Sequence, residues 1–222
     1  MKKGLVVVGI LSFLLAGCST TGSSAKETDP EVQEISVSLP AELTTLDTTQ
    51  TTDKVTFTVI QHLFEGSYRF DVKSQPVPGL AGEAVISEDG KTYTFKLKEE
   101  AKWSDGQQVQ AADFAYAWKK LVDPKTMGPN AYLLDNVVNS QDIREGKADI
   151  ATIGLETPAA KTFAVHLEQL QPSFLSVVSI GWLAPQRQSY VEEKGKAYGK
   201  TSEDLLYTGP FILKDWQQTG AE

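Results

Sequence analysis

The stretch from Ala84 to Val122 confines this chain more tightly than any other, because a strand, a hairpin turn, a second strand, a polar turn and a helix follow one another without a spare segment. Asp89-Gly90 separates Ala84–Ser87 from Lys91–Lys98. An Asp-Gly pair between two such runs predicts a hairpin, since glycine supplies the positive φ that the turn needs. In the second strand Tyr93, Phe95 and Leu97 point one way, and Thr92, Thr94, Lys96 and Lys98 point to water. Phe114, Trp118 and Leu121 then fall on one stripe of a helix over 111–122, flanked by Ala115 and Val122. Gln110 is a poor N-cap, but Asp113 at the third helical position favours the positive helix end, and Asp123-Pro124 stops the helix. Trp103 stands in front of Ser104-Asp105-Gly106. Folded back over the stripe, its ring would clasp the hairpin to the helix as a core residue.

Elsewhere the patterns are shorter. "KTFAVHL", Lys161 to Leu167, alternates again, with Phe163, Val165 and Leu167 inward and His166 on the wet face. Ile35 to Leu39 also alternates and ends at Pro40, which predicts a strand. Val55, Val59, Ile60, Leu63 and Phe64 recur at helical spacing, with Gly66 where a C-terminal cap is expected and His62 in the last turn.

At the N-terminus, Lys2-Lys3 precede an apolar run from Leu5 to Ala16 that closes with Leu15-Ala16-Gly17-Cys18. The run is shorter than the roughly 20 residues a membrane span needs, so it reads as a secretory signal. Its end resembles the lipobox of bacterial lipoproteins, which makes Cys18 the expected lipidation site. Cleavage before Cys18 removes two lysines and no acid, taking the formal charge from −8 to −10. Cys18 is the single cysteine, so the fold can hold neither a disulfide nor a thiolate metal site. Residues 19–34, rich in Ser, Thr, Gly and charge, have too little apolar surface to offset ordering entropy and read as a flexible tether.

Composition narrows the function. The acidic balance and the lack of a Lys/Arg block argue against nucleic acid. His62 and His166 stand on separate elements without ligand spacing, which argues against zinc. No nucleophile elbow or phosphate loop is present, and turn and helix-start roles account for Asp105 and Asp113 without chemistry, so no catalytic residue and no cofactor are expected.

The same residues carry a resemblance. "DGKTYTFKLKEEAKWSDGQQVQAADFAYAWKKLVDP" resembles the signature region of the oligopeptide-binding proteins of bacterial ABC importers, the family 5 extracellular solute-binding proteins. "LTTLDT" is similar to the family's S-L-D-P loop, "HLFEG" to its first helix end, "PVPGLAGE" to its next loop and "YTGPFILKDW" to its G-P-F strand, in the right order. The resemblance implies a two-lobed, periplasmic-binding-protein-like (type II) α/β clamp that closes on an oligopeptide outside the membrane and hands it to the importer's permease subunits. The resemblance further implies that the peptide is held by strand addition and that its side chains enter wet pockets. It implies a partial first-lobe core from 35–65 and 190–222, and a satellite α+β subdomain from 66–189.

Register with the family places Ala41-Glu42-Leu43 where the bound peptide's backbone is paired. Where relatives have a ligand-contacting tyrosine this chain has Asn130, with Tyr132 two positions on, and Ser179 opens "SIGWLAP", which resembles a pocket-lining segment. Glu42, Leu43, Asn130, Tyr132 and Ser179 are therefore the candidate ligand-binding residues. Nickel, haem or another small molecule is the alternative ligand within the family. The chain stops at Glu222, before relatives cross to the second lobe, so the resemblance implies an incomplete first lobe. A remnant whose apolar signal peptide "ILSFLLAG" serves as a pheromone is the alternative from another class.

Overall fold

The computed structural model describes residues 33–216. The signal segment, Cys18 and most of the tether lie outside the described residues. The chain divides into two units, the second running from Leu39 onward. Of the first, residues 33–38 are described and all are exposed.

In chain order, the second unit opens with helix α1 (Lys54–Leu63), followed by the short antiparallel pair β1 (Tyr68–Phe70) and β2 (Pro76–Pro78). Strands β3 (Val85–Ile86) and β4 (Thr92–Lys96) form the predicted hairpin, with Gly90 at φ 69° in its turn. Helix α2 spans Ala111–Val122 as expected. After the short helix α3 (Ser140–Arg144) come β5 (Leu155–Ala159) and β6 (Thr162–His166), then the one-turn helix α4 (Phe174–Val177) and α5 (Gln188–Lys194). The four-stranded sheet has the order β3-β4-β6-β5, antiparallel throughout.

Two apolar clusters form the core. The first joins the inward faces of β4 and β6 to the α2 stripe, and Phe163 lies at its centre, with the rings of Phe95 and Phe114 each 4.8 Å away. The second gathers Leu43, Leu46 and α1 with Ala184, Val191, Tyr198 and Tyr207. The "WSDG" turn bridges them. Ser104 N donates to Tyr207 O (2.8 Å), Tyr207 N donates to Ser104 Oγ (3.1 Å), and Gly106 closes the turn at φ 83°.

Trp103 is buried and reaches the helix through its start: its indole N–H donates to Asp113 Oδ2 (3.2 Å), which also accepts from Gln110 N (2.9 Å). Asp113 thus makes the cap that Gln110 lacks and also seats the tryptophan. Burial pushes the Asp113 carboxyl up, and the two donors and the nearby Arg187 charge offset this only in part. A raised folded value means that this group's contribution to stability is present below the unfolded carboxylate range and is lost as pH rises through the folded value. Asp113→Asn keeps a neutral acceptor and is expected to match the wild type more nearly at pH 4 than at pH 7, flattening that part of the pH dependence. Asp113→Ala leaves a buried indole N–H unpaired and should cost about 1–3 kcal/mol. Urea melts at pH 4 and pH 7 decide between these outcomes.

Three expectations are corrected. Residues 35–39 are not a strand: Ile35 and Val37 are 66% and 71% exposed, because alternation makes a strand only where a ladder partner and a buried face exist. Helix α1 ends at Phe64, whose backbone is already extended, so Gly66 is no cap. A Cβ there would lie 3.1 Å from the Tyr68 and Val178 carbonyl oxygens, so glycine serves close backbone approach. The "YTGPF" segment is likewise not a strand. It is tied to the end of α1, with Gly209 N donating to Leu63 O (2.9 Å) and Tyr207 stacked on Phe64.

Candidate functional site

The loop "LTTLDTT", residues 43–49, is anchored rather than loose. Leu43 and Leu46 insert into the second cluster, and Leu46 N donates to Gly199 O (2.8 Å). Gly199 has φ 76°, and a Cβ on it would come within 2.5 Å of Asp47 N, so the two backbones meet without clearance. Asp47 then turns the loop, its Oδ1 accepting from Thr49 N (3.0 Å) and Thr49 Oγ1 (2.7 Å).

Behind the loop lies a closed polar ring. Lys120 Nζ, from α2, donates to Asp47 Oδ2 (2.8 Å) and to Gln186 Oε1 (3.0 Å). Gln186 Nε2 donates to Asp47 Oδ1 and to Thr48 Oγ1, each 2.9 Å away. The Lys120 ammonium also sits 5.1 Å from the centre of the Tyr198 ring. Burial pushes the Asp47 carboxyl up, but the Lys120 charge and the Lys120 and Thr49 hydrogen bonds outweigh it and hold the group below its ordinary 3.8. Tyr198, buried beside this pair, is pushed well above its usual range by burial.

The sequence-predicted residues are distributed unevenly around this anchor. Ala41 and Glu42 are exposed, immediately before buried Leu43. Asn130 is buried and its Nδ2 donates to Thr51 O (2.6 Å). Trp182 Nε1 reaches Thr51 Oγ1 (3.1 Å) and its ring packs on Phe57. Asn130 and the "SIGWLAP" segment therefore converge on Thr51, just beyond the loop. Tyr132 is 55% exposed, while Ser179 is buried, its hydroxyl donating to Leu175 O (2.8 Å).

Two open cavities, of about 620 and 410 Å³, flank α2 and include none of these five residues. Asp105 and Asp113 are engaged separately, Asp105 with Arg187 (2.7 Å) and Gln107 N, Asp113 in its cap. No three metal-ligating side chains cluster among the described residues, and no described helix is long and apolar enough to cross a membrane.

Lys120, Gln186 and Tyr198 were missed by sequence reasoning. A signal existed for the lysine: position 120 shares a helical edge with Asp113 and Ala117, both buried, so it borders the core stripe.

Comparison with known proteins defines the class. The profile of the bacterial extracellular solute-binding proteins, family 5 Middle, matches residues 75–221. The dipeptide-binding protein of Lactococcus lactis subsp. cremoris is 36% identical over 208 residues, which are 94% of this chain and 36% of that protein. The crystal structure of the substrate-binding domain of an oligopeptide ABC transporter from Bacillus anthracis superposes with a TM-score of 0.78 at 38% identity, over 80% of this chain and 34% of that one. The Listeria monocytogenes OppA bound to peptide gives 0.77 at 36% identity, over 79% and 35%. This is a solute-binding protein fold. The chain belongs to the bacterial extracellular solute-binding proteins of family 5, and it spans about a third of the length of these relatives.

Proposed function

We propose that this chain acts in oligopeptide uptake as part of the extracytoplasmic, non-enzymatic binding component of an ABC importer, delivering its ligand to the permease subunits. Ala41 and Glu42, next to buried Leu43, offer main-chain pairing to an extended peptide, and the resemblance makes Asn130, Tyr132 and Ser179 its further contacts. The observation that carries this reading is an exposed backbone step, Ala41-Glu42, abutting a rigidly held loop, in a chain 36–38% identical to proteins named for dipeptide or oligopeptide binding. Main-chain hydrogen bonds give such a site tolerance of sequence.

Each such bond nets about 1 kcal/mol, against several kcal/mol lost on association, so the described residues alone are expected to bind at millimolar strength. An NMR titration with a tripeptide-to-pentapeptide mixture tests this. Weak, saturable shifts confined to the 41–43 amides and the 130–132 and 179–182 segments are expected. Shifts restricted to the cavities beside α2, or none at several millimolar peptide, would sink the reading.

The same proposal includes a lipid anchor at Cys18, motivated by Leu15-Ala16-Gly17-Cys18. Cys18→Ala is expected to move the protein out of the membrane fraction and abolish labelling with a fatty-acid analogue. Unchanged membrane association would show that the anchor lies elsewhere.

A further inference from the structure

The ring joining Lys120, Asp47 and Gln186 is more costly than filling the same space requires. A buried ion pair gives back little net stability once desolvation is counted, and apolar side chains of similar volume often do as well. What the ring supplies is geometry. The loop 43–49 has two apolar anchors, Leu43 and Leu46, and otherwise consists of threonines and Asp47. Threonines at a polar turn can satisfy themselves in several arrangements. Asp47 removes that freedom, because its two oxygens face partners from two distant segments: Oδ2 meets Lys120 on α2, 73 residues away, and Oδ1 meets Gln186, 139 residues away. Gln186 is itself fixed at its backbone, its N–H donating to Asp113 O (3.1 Å).

We propose that Lys120 is a positioning residue for the peptide-facing edge: by holding Asp47 against α2 and Gln186 it fixes the loop 43–49 and thereby the place of Ala41-Glu42. This rests on the peptide-binding reading for the meaning of that edge, whereas the positioning itself can be measured without any peptide.

The measurement is site-resolved amide hydrogen exchange on the whole chain. The reporters are Leu46 N–H, bonded to Gly199 O, and Thr49 N–H, bonded to Asp47 Oδ1. Lys120→Met keeps the side-chain stem and removes the charge. It is expected to speed exchange at Leu46 and Thr49 at least tenfold more than at the sheet amides of Tyr93, Phe95, Phe163 and Val165, which follow the change in global stability. Lys120→Arg retains the charge and is expected to recover most of the loop protection. Gln186→Leu opens the ring at its opposite corner and is expected to speed the same two amides by a smaller factor; it provides the test if Lys120→Met does not fold. Equal acceleration in loop and sheet would show a loss of global stability and overturn the proposal. So would unchanged loop exchange in either variant, or an arginine variant no better protected than the methionine one. Absence of peptide-induced shifts at Ala41-Glu42 in the wild type would instead count against the functional reading and leave the exchange result standing.

Discussion

Phe163→Ala is expected to destabilise the chain by about 3–5 kcal/mol, the range for deleting a fully packed aromatic ring, and toward its upper end. The ring is 2% exposed and stacks against Phe95 and Phe114, each 4.8 Å away, while Trp118 meets it edge-on at 6.0 Å. Aromatic pairs contribute about 0.5–1.5 kcal/mol beyond the area they bury, so a residue shared by three of them loses more than one on the rim. Because Phe163 sits on β6, Phe95 on β4 and Phe114 and Trp118 on α2, the deletion separates sheet from helix instead of loosening one element. Phe163→Leu retains most of the volume and should recover more than half of the loss. Val85→Ala, at a position 71% exposed, should change stability by no more than about 0.5 kcal/mol and serves as the control. Equilibrium urea unfolding measures all three. A cost below about 1.5 kcal/mol for Phe163→Ala would mean that the cluster relaxes around the gap, against the close packing that protein cores show.

This core was largely legible in the chain's own pattern, for a local reason. The hairpin, the "KTFAVHL" strand and α2 each repeat their apolar residues with the period of their own element, so that Tyr93, Phe95, Phe163, Phe114 and Trp118 point inward whichever partner they meet. The elements that escaped notice lack such a period. Strand β5, "LETPA", contains Pro158, has a register shift between Glu156 and Ala159 and lies on the sheet edge with little buried; β2 is Pro76-Val77-Pro78. Residues 35–39 show the converse, a strand pattern with no strand. The polar ring was harder still, since nothing in "LTTLDT" announces a lysine 73 positions later. Of the candidate site, the exposure of Glu42 beside a polar loop could be read, but the burial of Asn130 and Ser179 could not, because their carbonyl partners are supplied by the folded backbone.

Asp47→Ala is the second substitution expected to have a large effect, about 3–5 kcal/mol, the cost of removing one member of a buried ion pair and leaving the other uncompensated. Lys120 retains Gln186 Oε1 and the Tyr198 ring face, and its side chain is 18% exposed, so the lower part of that range is expected. The pH dependence gives the sharper signature. The Asp47 carboxyl is held below its ordinary 3.8 in the folded chain, so its contribution is present above the unfolded value and is lost as pH falls through the folded one. Wild-type stability should therefore fall steeply below about pH 4, where the unfolded chain takes up a proton that the folded chain resists. Asp47→Ala removes that contribution, and its stability should decline less over the same interval, so that the two curves converge in acid. Urea midpoints for both proteins from pH 2 to pH 7 test this: parallel curves throughout would show that the Asp47 carboxylate is not what ties the loop to α2, and that hydrogen bonds to Thr49 and Gln186 suffice in either protonation state.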